Sequence, residues 1–263
     1  MSYNAARDEL FVADYDNKVV RAIRLQDNAG DMREVFRCTS LEAITPRMFS
    51  VCHMSDSDSL LVCTAEHWQN ERAYWLVLLR RAGSEWRETH RVHTALWGYI
   101  CCALSDSRAL VGAYNSTSME LFRVQSDARI AHVHRIDVSE RYRWLAASSG
   151  SDTLVAMSFA SDESVRVNRL RDERLEPLAR IRLKKPDRLL WHADRLLVTE
   201  SHERDNDTVT ELEVSATGIE RRRELIAHSE GIQLHRWCAL PDGIIICDLS
   251  SGVLLNCNHL FIQ

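Results

Sequence analysis

Glycine and proline are scarce in this chain of 263 residues, at nine and four. So few breakers exclude a long linker or a low-complexity tail; with 45% apolar and 27% charged residues the chain reads as ordered and globular. No run approaches the roughly eighteen consecutive apolar residues that a membrane-spanning helix needs. The opening Met1-Ser-Tyr-Asn-Ala-Ala-Arg-Asp8 lacks the apolar core of a signal peptide, so a cytoplasmic protein with no membrane association is expected. Helical periodicity over about ten residues or more is missing too, which excludes parallel βαβ arrangements. Lysine stands only at positions 18, 184 and 185, so arginine supplies the rest of the 33 basic residues, a bias that codon usage explains. The net charge of −5 argues against general affinity for phosphate backbones.

Other absences narrow the chemistry. The eight cysteines include no Cys-x-x-Cys pair, and the adjacent Cys101 and Cys102 are poorly placed to chelate, so free thiols in a reducing compartment are expected. There is no Gly-x-Ser-x-Gly elbow and no phosphate-cradling glycine loop, which removes the common serine-hydrolase and nucleotide-binding signatures. Neither a metal nor a cofactor is expected.

What the chain does contain is a repeat. Apolar triplets end at Val12, Val62, Val111, Val155, Val198 and Ile246, spaced 50, 49, 44, 43 and 48 residues apart. A short polar turn precedes the later triplets, as in Ser55-Asp-Ser-Asp58, Ser105-Asp-Ser-Arg108 and Pro241-Asp-Gly243, and an apolar strand precedes that turn. Cys52-His-Met-Ser-Asp56, Cys102-Ala-Leu-Ser-Asp106 and Cys238-Ala-Leu-Pro-Asp242 align, which puts the three cysteines at one repeat position as packing residues of a buried strand. A third strand follows each triplet, and a fourth, more charged one follows most of them (Met32–Cys38, Trp86–Val92, Arg129–Val138, Leu175–Leu183, Ile219–Ile226). A unit of about 45 residues with four strands and polarity rising toward the last is the pattern of a β-propeller blade. The expected fold is therefore an all-β, six-bladed β-propeller with about four antiparallel strands per blade and one terminal blade incomplete. It forms a single domain over residues 1–263, its blades near 1–45, 46–94, 95–139, 140–184, 185–228 and 229–263.

The first repeat reads Leu10-Phe-Val-Ala-Asp14, then Asn17-Lys-Val-Val-Arg21. This resembles the core of an NHL repeat, closely over residues 9–24 and in architecture alone further on. The resemblance implies that Asp14 and Asn17 hold the turn between the second and third strands by bonding to nearby backbone amides. Six-bladed propellers also include metal-dependent SMP-30-like lactonases, which would need oxygen ligands converging from several blades. Glu66, Asn115, Glu200 and Asp248 follow second strands and are the candidates, but Val51-Cys-His-Met54 and Ile100-Cys-Cys-Ala103 offer sulfur and methyl groups on the inner strands. Some NHL propellers bind RNA on a basic face; Arg221–Arg223 and the run Arg180–Arg188 are the candidates, and the net acidity opposes them. His132 and His134 share one face of an outer strand and are expected to be solvated.

The expected function is a non-catalytic interaction module, a scaffold that binds a protein or peptide partner on one rim and acts as a monomer. Its candidate binding residues follow the second strands: Tyr15, Trp68, Tyr114, Asn115, Phe159, His202 and Arg204. These are largely the residue types that dominate interface hot spots, carried on loops that vary while the strands keep their pattern.

Overall fold

The computed structural model describes residues 1–15, 17–24, 33–37, 47–68, 71–96, 100–105, 107–148, 152–201, 207–215, 218–226, 234–240, 243–248 and 254–256. Among the described residues, apart from one 3-10 turn at Ser55–Ser57, every regular element is a strand. The first blade is β1 (Ser2–Asn4), β2 (Glu9–Asp14), β3 (Val19–Arg24) and β4 (Arg33–Arg37). The second is β5 (Arg47–Met54), β6 (Ser59–Trp68), β7 (Glu71–Ala82) and β8 (Glu85–Thr94). The third is β9 (Ile100–Ala103), β10 (Arg108–Gly112), β11 (Ser116–Val124) and β12 (Ile130–Tyr142). The fourth is β13 (Trp144–Ala147), β14 (Leu154–Phe159), β15 (Ser164–Arg171) and β16 (Arg174–Arg182). The fifth is β17 (Pro186–His192), β18 (Arg195–Ser201), β19 (Asp207–Ser215) and β20 (Gly218–Ile226). The last sheet is β21 (Leu234–Leu240), β22 (Gly243–Asp248) and β23 (Leu254–Asn256). Each sheet is an antiparallel meander in chain order.

The expectation of six blades is corrected. The described residues form five four-stranded blades, and the sheet β21-β22-β23 has three strands. The reason is that an apolar triplet marks only a second strand. Counting triplets counts second strands, and a sixth second strand does not by itself supply the charged outer strand that completes a blade.

The repeat alignment survives in the strand registers. Cys52 lies opposite Leu61, Cys102 opposite Leu110 and Cys238 opposite Ile245, so each sits across from the residue just before its triplet's end. Cys52 and Cys238 are buried and Cys102 is partly exposed. Turns between first and second strands repeat as well. Asp8, Asp58 and Ser107 adopt left-handed backbone angles (φ 53°, 41° and 55°), each four residues before the end of its triplet. Aspartate tolerates that region better than most residues, which lets a chain poor in glycine make these turns.

The chain divides into two compact units, residues 1–114 with 118–137 and residues 115–117 with 138–263. In the first unit the run Leu60-Leu-Val-Cys63 is apolar throughout because its strand is covered on both faces. Successive side chains on a strand point to opposite sides. Leu60 and Val62 therefore join Phe11, Val20, Val77 and Trp86 in the wall against the first blade, while Leu61 and Cys63 join Leu76, Leu78, Val111 and Phe122 in the wall against the third. Polar stitches cross the same walls. Ser2 Oγ accepts the His53 N–H at 2.8 Å, Ser50 Oγ accepts the Cys101 N–H at 3.2 Å, and Asp56 accepts the Ser107 N–H at 3.0 Å.

The second unit uses the same devices. Ser158 Oγ accepts the Trp144 N–H and donates to the Asp187 carbonyl at 2.6 Å, and Trp191 Nε1 donates to the Ala146 carbonyl at 3.3 Å. The Arg188 guanidinium lies 4.5 Å from the centre of the Trp144 ring.

Candidate functional site

Of the candidate residues, Tyr15, Tyr114 and Asn115 sit on turns between second and third strands, and the first such turn is built as the motif implies. The Asp14 carboxylate accepts the Asn17 backbone N–H at 3.1 Å and the Asn17 side-chain amide at 2.8 Å. Arg21, the third residue of β3, donates to the same carboxylate at 3.0 Å. Partial burial works to raise the Asp14 carboxyl, but the bonds from Asn17 and Arg21 outweigh it and hold it below the ordinary carboxylate value. Tyr15 projects from this clasp and is 38% exposed.

In the third blade the equivalent turn is short. Tyr114 is 48% exposed, and the exposed Asn115 holds the left-handed position at φ 59°, one that asparagine accepts readily. Tyr15 and Tyr114 are the large hydrophobic residues exposed among the described ones. Both fall in the positions that the sequence pattern singles out.

The other candidates part company. Phe159 is corrected: it is fully buried as the last residue of β14, so its ring cannot meet a partner. The strand runs one residue further than the pattern predicts, and the Arg166 guanidinium covers the ring at 4.0 Å. Trp68 ends β6 opposite Glu71, and its side chain lies outside the described residues, as do His202 and Arg204.

The turn of the fourth blade is instead a charged knot. Asp162 accepts from Ser164 Oγ at 2.5 Å, Arg166 at 2.5 Å and Arg180 at 2.6 Å, and Glu140 accepts from Ser161 and Arg166. Burial again pushes the Asp162 carboxyl upward, and the hydroxyl and guanidinium bonds bring it below its ordinary value.

Two of the candidate oxygen ligands, Glu66 and Glu200, are committed elsewhere. Glu66 faces Arg91 at 3.4 Å. Glu200 is buried and accepts from the Lys184 backbone N–H at 2.9 Å, from Arg221 at 3.1 Å and from the Thr210 hydroxyl. Asp248 pairs in register with Leu234, and its side chain lies outside the described residues. Among the described residues, no three histidine, cysteine, aspartate or glutamate side chains group as a metal ion would require.

The arginine-rich stretch is likewise engaged by carboxylates. Arg221 bonds Glu200 and Glu224, Arg222 bonds Glu213, and Arg223 approaches Glu211 at 3.4 Å. His132 is exposed, 3.7 Å from Glu120 and edge-on to Phe122.

Buried carboxylates are what the sequence pattern misses. Glu9, Glu120, Glu200 and Glu211 are all buried, and Glu9 takes Arg33 from its own blade and Arg81 from the second. The signal that could have exposed them is the surplus of arginine, whose planar fork satisfies a buried carboxylate.

The four-stranded antiparallel blades and the repeated turns define an all-β protein of the β-propeller class. No family model matches the chain, and no curated protein matches it. Solved structures do. A chain of the mitotic checkpoint complex matches with a TM-score of 0.58 at 12% identity, over 97% of this chain and 88% of that one. A protein from Lactobacillus plantarum matches with a TM-score of 0.61 at 10% identity, over 95% of this chain and 81% of its own. At such identities the likeness establishes the fold alone. Among the described residues, no helix is long and apolar enough to cross a membrane.

Proposed function

We propose that the chain, as one β-propeller domain, is a non-catalytic interaction module that takes a protein or peptide partner on the turns between second and third strands, Tyr15 and Tyr114 foremost. The observation that carries this reading is the pairing of exposed tyrosines with fixed turns. Tyr15 and Tyr114 present large apolar surface to solvent, Tyr15 from a turn locked by the Asp14–Asn17 clasp and Tyr114 beside the left-handed Asn115. A rigid turn bearing an amphipathic ring loses little entropy on binding, which is why tyrosine recurs at hot spots. The clasp also supports an NHL-like first blade. A solved chain of the same fold belongs to a multiprotein complex, which is consistent with a partner-binding role.

The test is quantitative affinity capture with the wild-type chain and with the double substitution Y15S/Y114S. The melting temperature should stay within about 2 °C, since surface changes shift stability by roughly 0.5 kcal/mol or less. Capture of specific partners should fall about tenfold or more, the equivalent of ~1.4 kcal/mol. Unchanged capture would remove these turns from the interface. A thermal-shift panel in about 1 mM divalent metal tests the metal-dependent hydrolase reading. A site of ~10 μM affinity would add roughly 2.7 kcal/mol, a rise of about five to ten degrees. Such a rise would overturn the non-catalytic reading.

A further inference from the structure

The wall between the second and third blades holds a group of thiols with no part in the interaction proposed above. Cys52 lies on β5, Cys63 on β6 and Cys101 on β9, and they are 4%, 1% and 9% exposed. The Sγ atoms of Cys52 and Cys101 stand 3.0 Å apart, and Cys101 also bonds Cys63. Strand geometry explains the meeting. Cys63 lies two residues beyond Leu61, the residue opposite Cys52, so both thiols share the face turned to the third blade. Cys101 arrives from that blade with its backbone N–H fixed to Ser50 Oγ. Cys102, the next residue, points to the other face of its strand and is absent from this wall.

We propose that Cys52 and Cys101 form a peroxide-responsive modification site: hydrogen peroxide or an organic hydroperoxide joins them in a disulfide that staples the second blade to the third. One thiol, as thiolate, attacks a peroxide oxygen. The O–O bond breaks, a sulfenic acid forms, and the leaving group takes a proton: hydroxide leaves as water where the oxidant is hydrogen peroxide, and alkoxide leaves as the alcohol where it is an organic hydroperoxide. The second sulfur then attacks the sulfenic sulfur, the S–O bond breaks, and a water leaves with the remaining thiol proton. Two thiols lose two electrons in all, and one hydrogen peroxide is reduced to two waters.

A disulfide is about 2.05 Å long, so the sulfurs close by roughly 1 Å, a movement within reach of side-chain rotation and a small strand shift. In the closed wall the Cys101 thiol is held well above its ordinary value, first by its bonds to Cys52 and Cys63 and then by burial, so it attacks an oxidant slowly. The reaction therefore follows local opening of the wall, and the link then opposes that opening.

The test uses the full chain, treated at neutral pH with hydrogen peroxide, its remaining thiols capped with N-ethylmaleimide, and its peptides mapped by mass spectrometry. Cleavage at Asp56 and Asp58 separates Cys52 from Cys63, and a C63A/C102A chain isolates Cys52 and Cys101. The expected product is a peptide pair joined through Cys52 and Cys101, two hydrogens lighter, released by dithiothreitol, with a melting temperature about 5–8 °C above that of the reduced chain. C101A, or C52A where C101A fails to fold, should lose both the link and the rise. A Cys52–Cys63 link, single-site sulfinic or sulfonic products without a link, a link formed only in denaturant, or unreacted thiols after hydrogen exchange shows the wall to have opened would each overturn the proposal.

Discussion

The second and fifth blades share one plan and fill it with different chemistry. In the second, Leu60-Leu-Val-Cys63 on β6 pairs with Leu76-Val-Leu-Leu79 on β7, and all eight side chains are buried. In the fifth, Leu196-Leu-Val198 on β18 is equally apolar, but it meets Thr210-Glu-Leu212 on β19, where Thr210 and Glu211 are buried, and Glu200 is buried two residues past the triplet. Glu211 is held by Arg195 at 2.8 Å and by Arg223, and Glu200 by Arg221, Thr210 and the Lys184 backbone. The backbone ladder of a blade needs filled faces; it does not need apolar ones. Arginine makes the polar solution workable, because its stem covers apolar surface while its fork meets a carboxylate.

The largest effect should come from opening the apolar wall. Phe122 is fully buried between the second and third blades, and Phe122→Ala should cost about 3–5 kcal/mol, lowering the melting temperature by roughly 10 °C. Glu200→Gln probes the polar counterpart. It keeps the shape but removes the charge that Arg221 and Thr210 address, and should cost about 1–3 kcal/mol in denaturant unfolding. A Glu200→Gln loss as large as that of Phe122→Ala would break the comparison, and would mean that the fifth blade is held mainly by its charge network.

Smaller losses should follow from cutting one stitch in each unit. Ser50→Ala leaves the Cys101 N–H without its acceptor, and Ser158→Ala does the same to the Trp144 N–H. Each should cost roughly 1–2 kcal/mol, and equal losses would show that the two units depend on their serines alike, whatever fills their faces.

Much of this plan is legible in the sequence because its parts are periodic. The outer strand read at Trp86–Val92 is observed at Glu85–Thr94, and the shared register of Cys52, Cys102 and Cys238 follows from the repeat. The Asp14–Asn17 turn is legible because its bonds are local. What fails is whatever depends on a neighbour. Phe159 reads as a loop residue until Arg166 is seen to cover its ring. The meeting of Cys52 with Cys101, rather than with its repeat equivalent Cys102, depends on which strand face turns toward the adjoining blade. The burial of Glu200 and Glu211 is not legible, because their arginines lie 16 to 21 residues further along or back in the chain, or 12 for the Glu211–Arg223 pair.

Acid should separate the two units through single protons. His53 lies on β5 with its side chain largely covered, stacked on Phe11 and bonded to Asp58 at 3.3 Å, while Asp58 also takes Arg7 and Asn4 from the first blade. Burial pushes the His53 imidazole below its ordinary value of 6.5, and the bond to Asp58 only partly restores it. The unfolded chain therefore takes up a proton that the folded chain refuses as the pH falls below about 6.5, so stability is lost from there downward through the folded value. In the second unit, Asp162 is the carboxyl held below its ordinary value of 3.8, and it loses its contribution only as the pH falls below that. Hydrogen exchange followed from pH 7 to pH 3, corrected for intrinsic rates, should show the strands around His53 loosening first and the turn at Asp162 last. His53→Gln should remove the earlier of these steps and leave the later one in place. Simultaneous loosening of both units in the wild type would mean that no local proton controls either, and that acid acts on the chain as a whole.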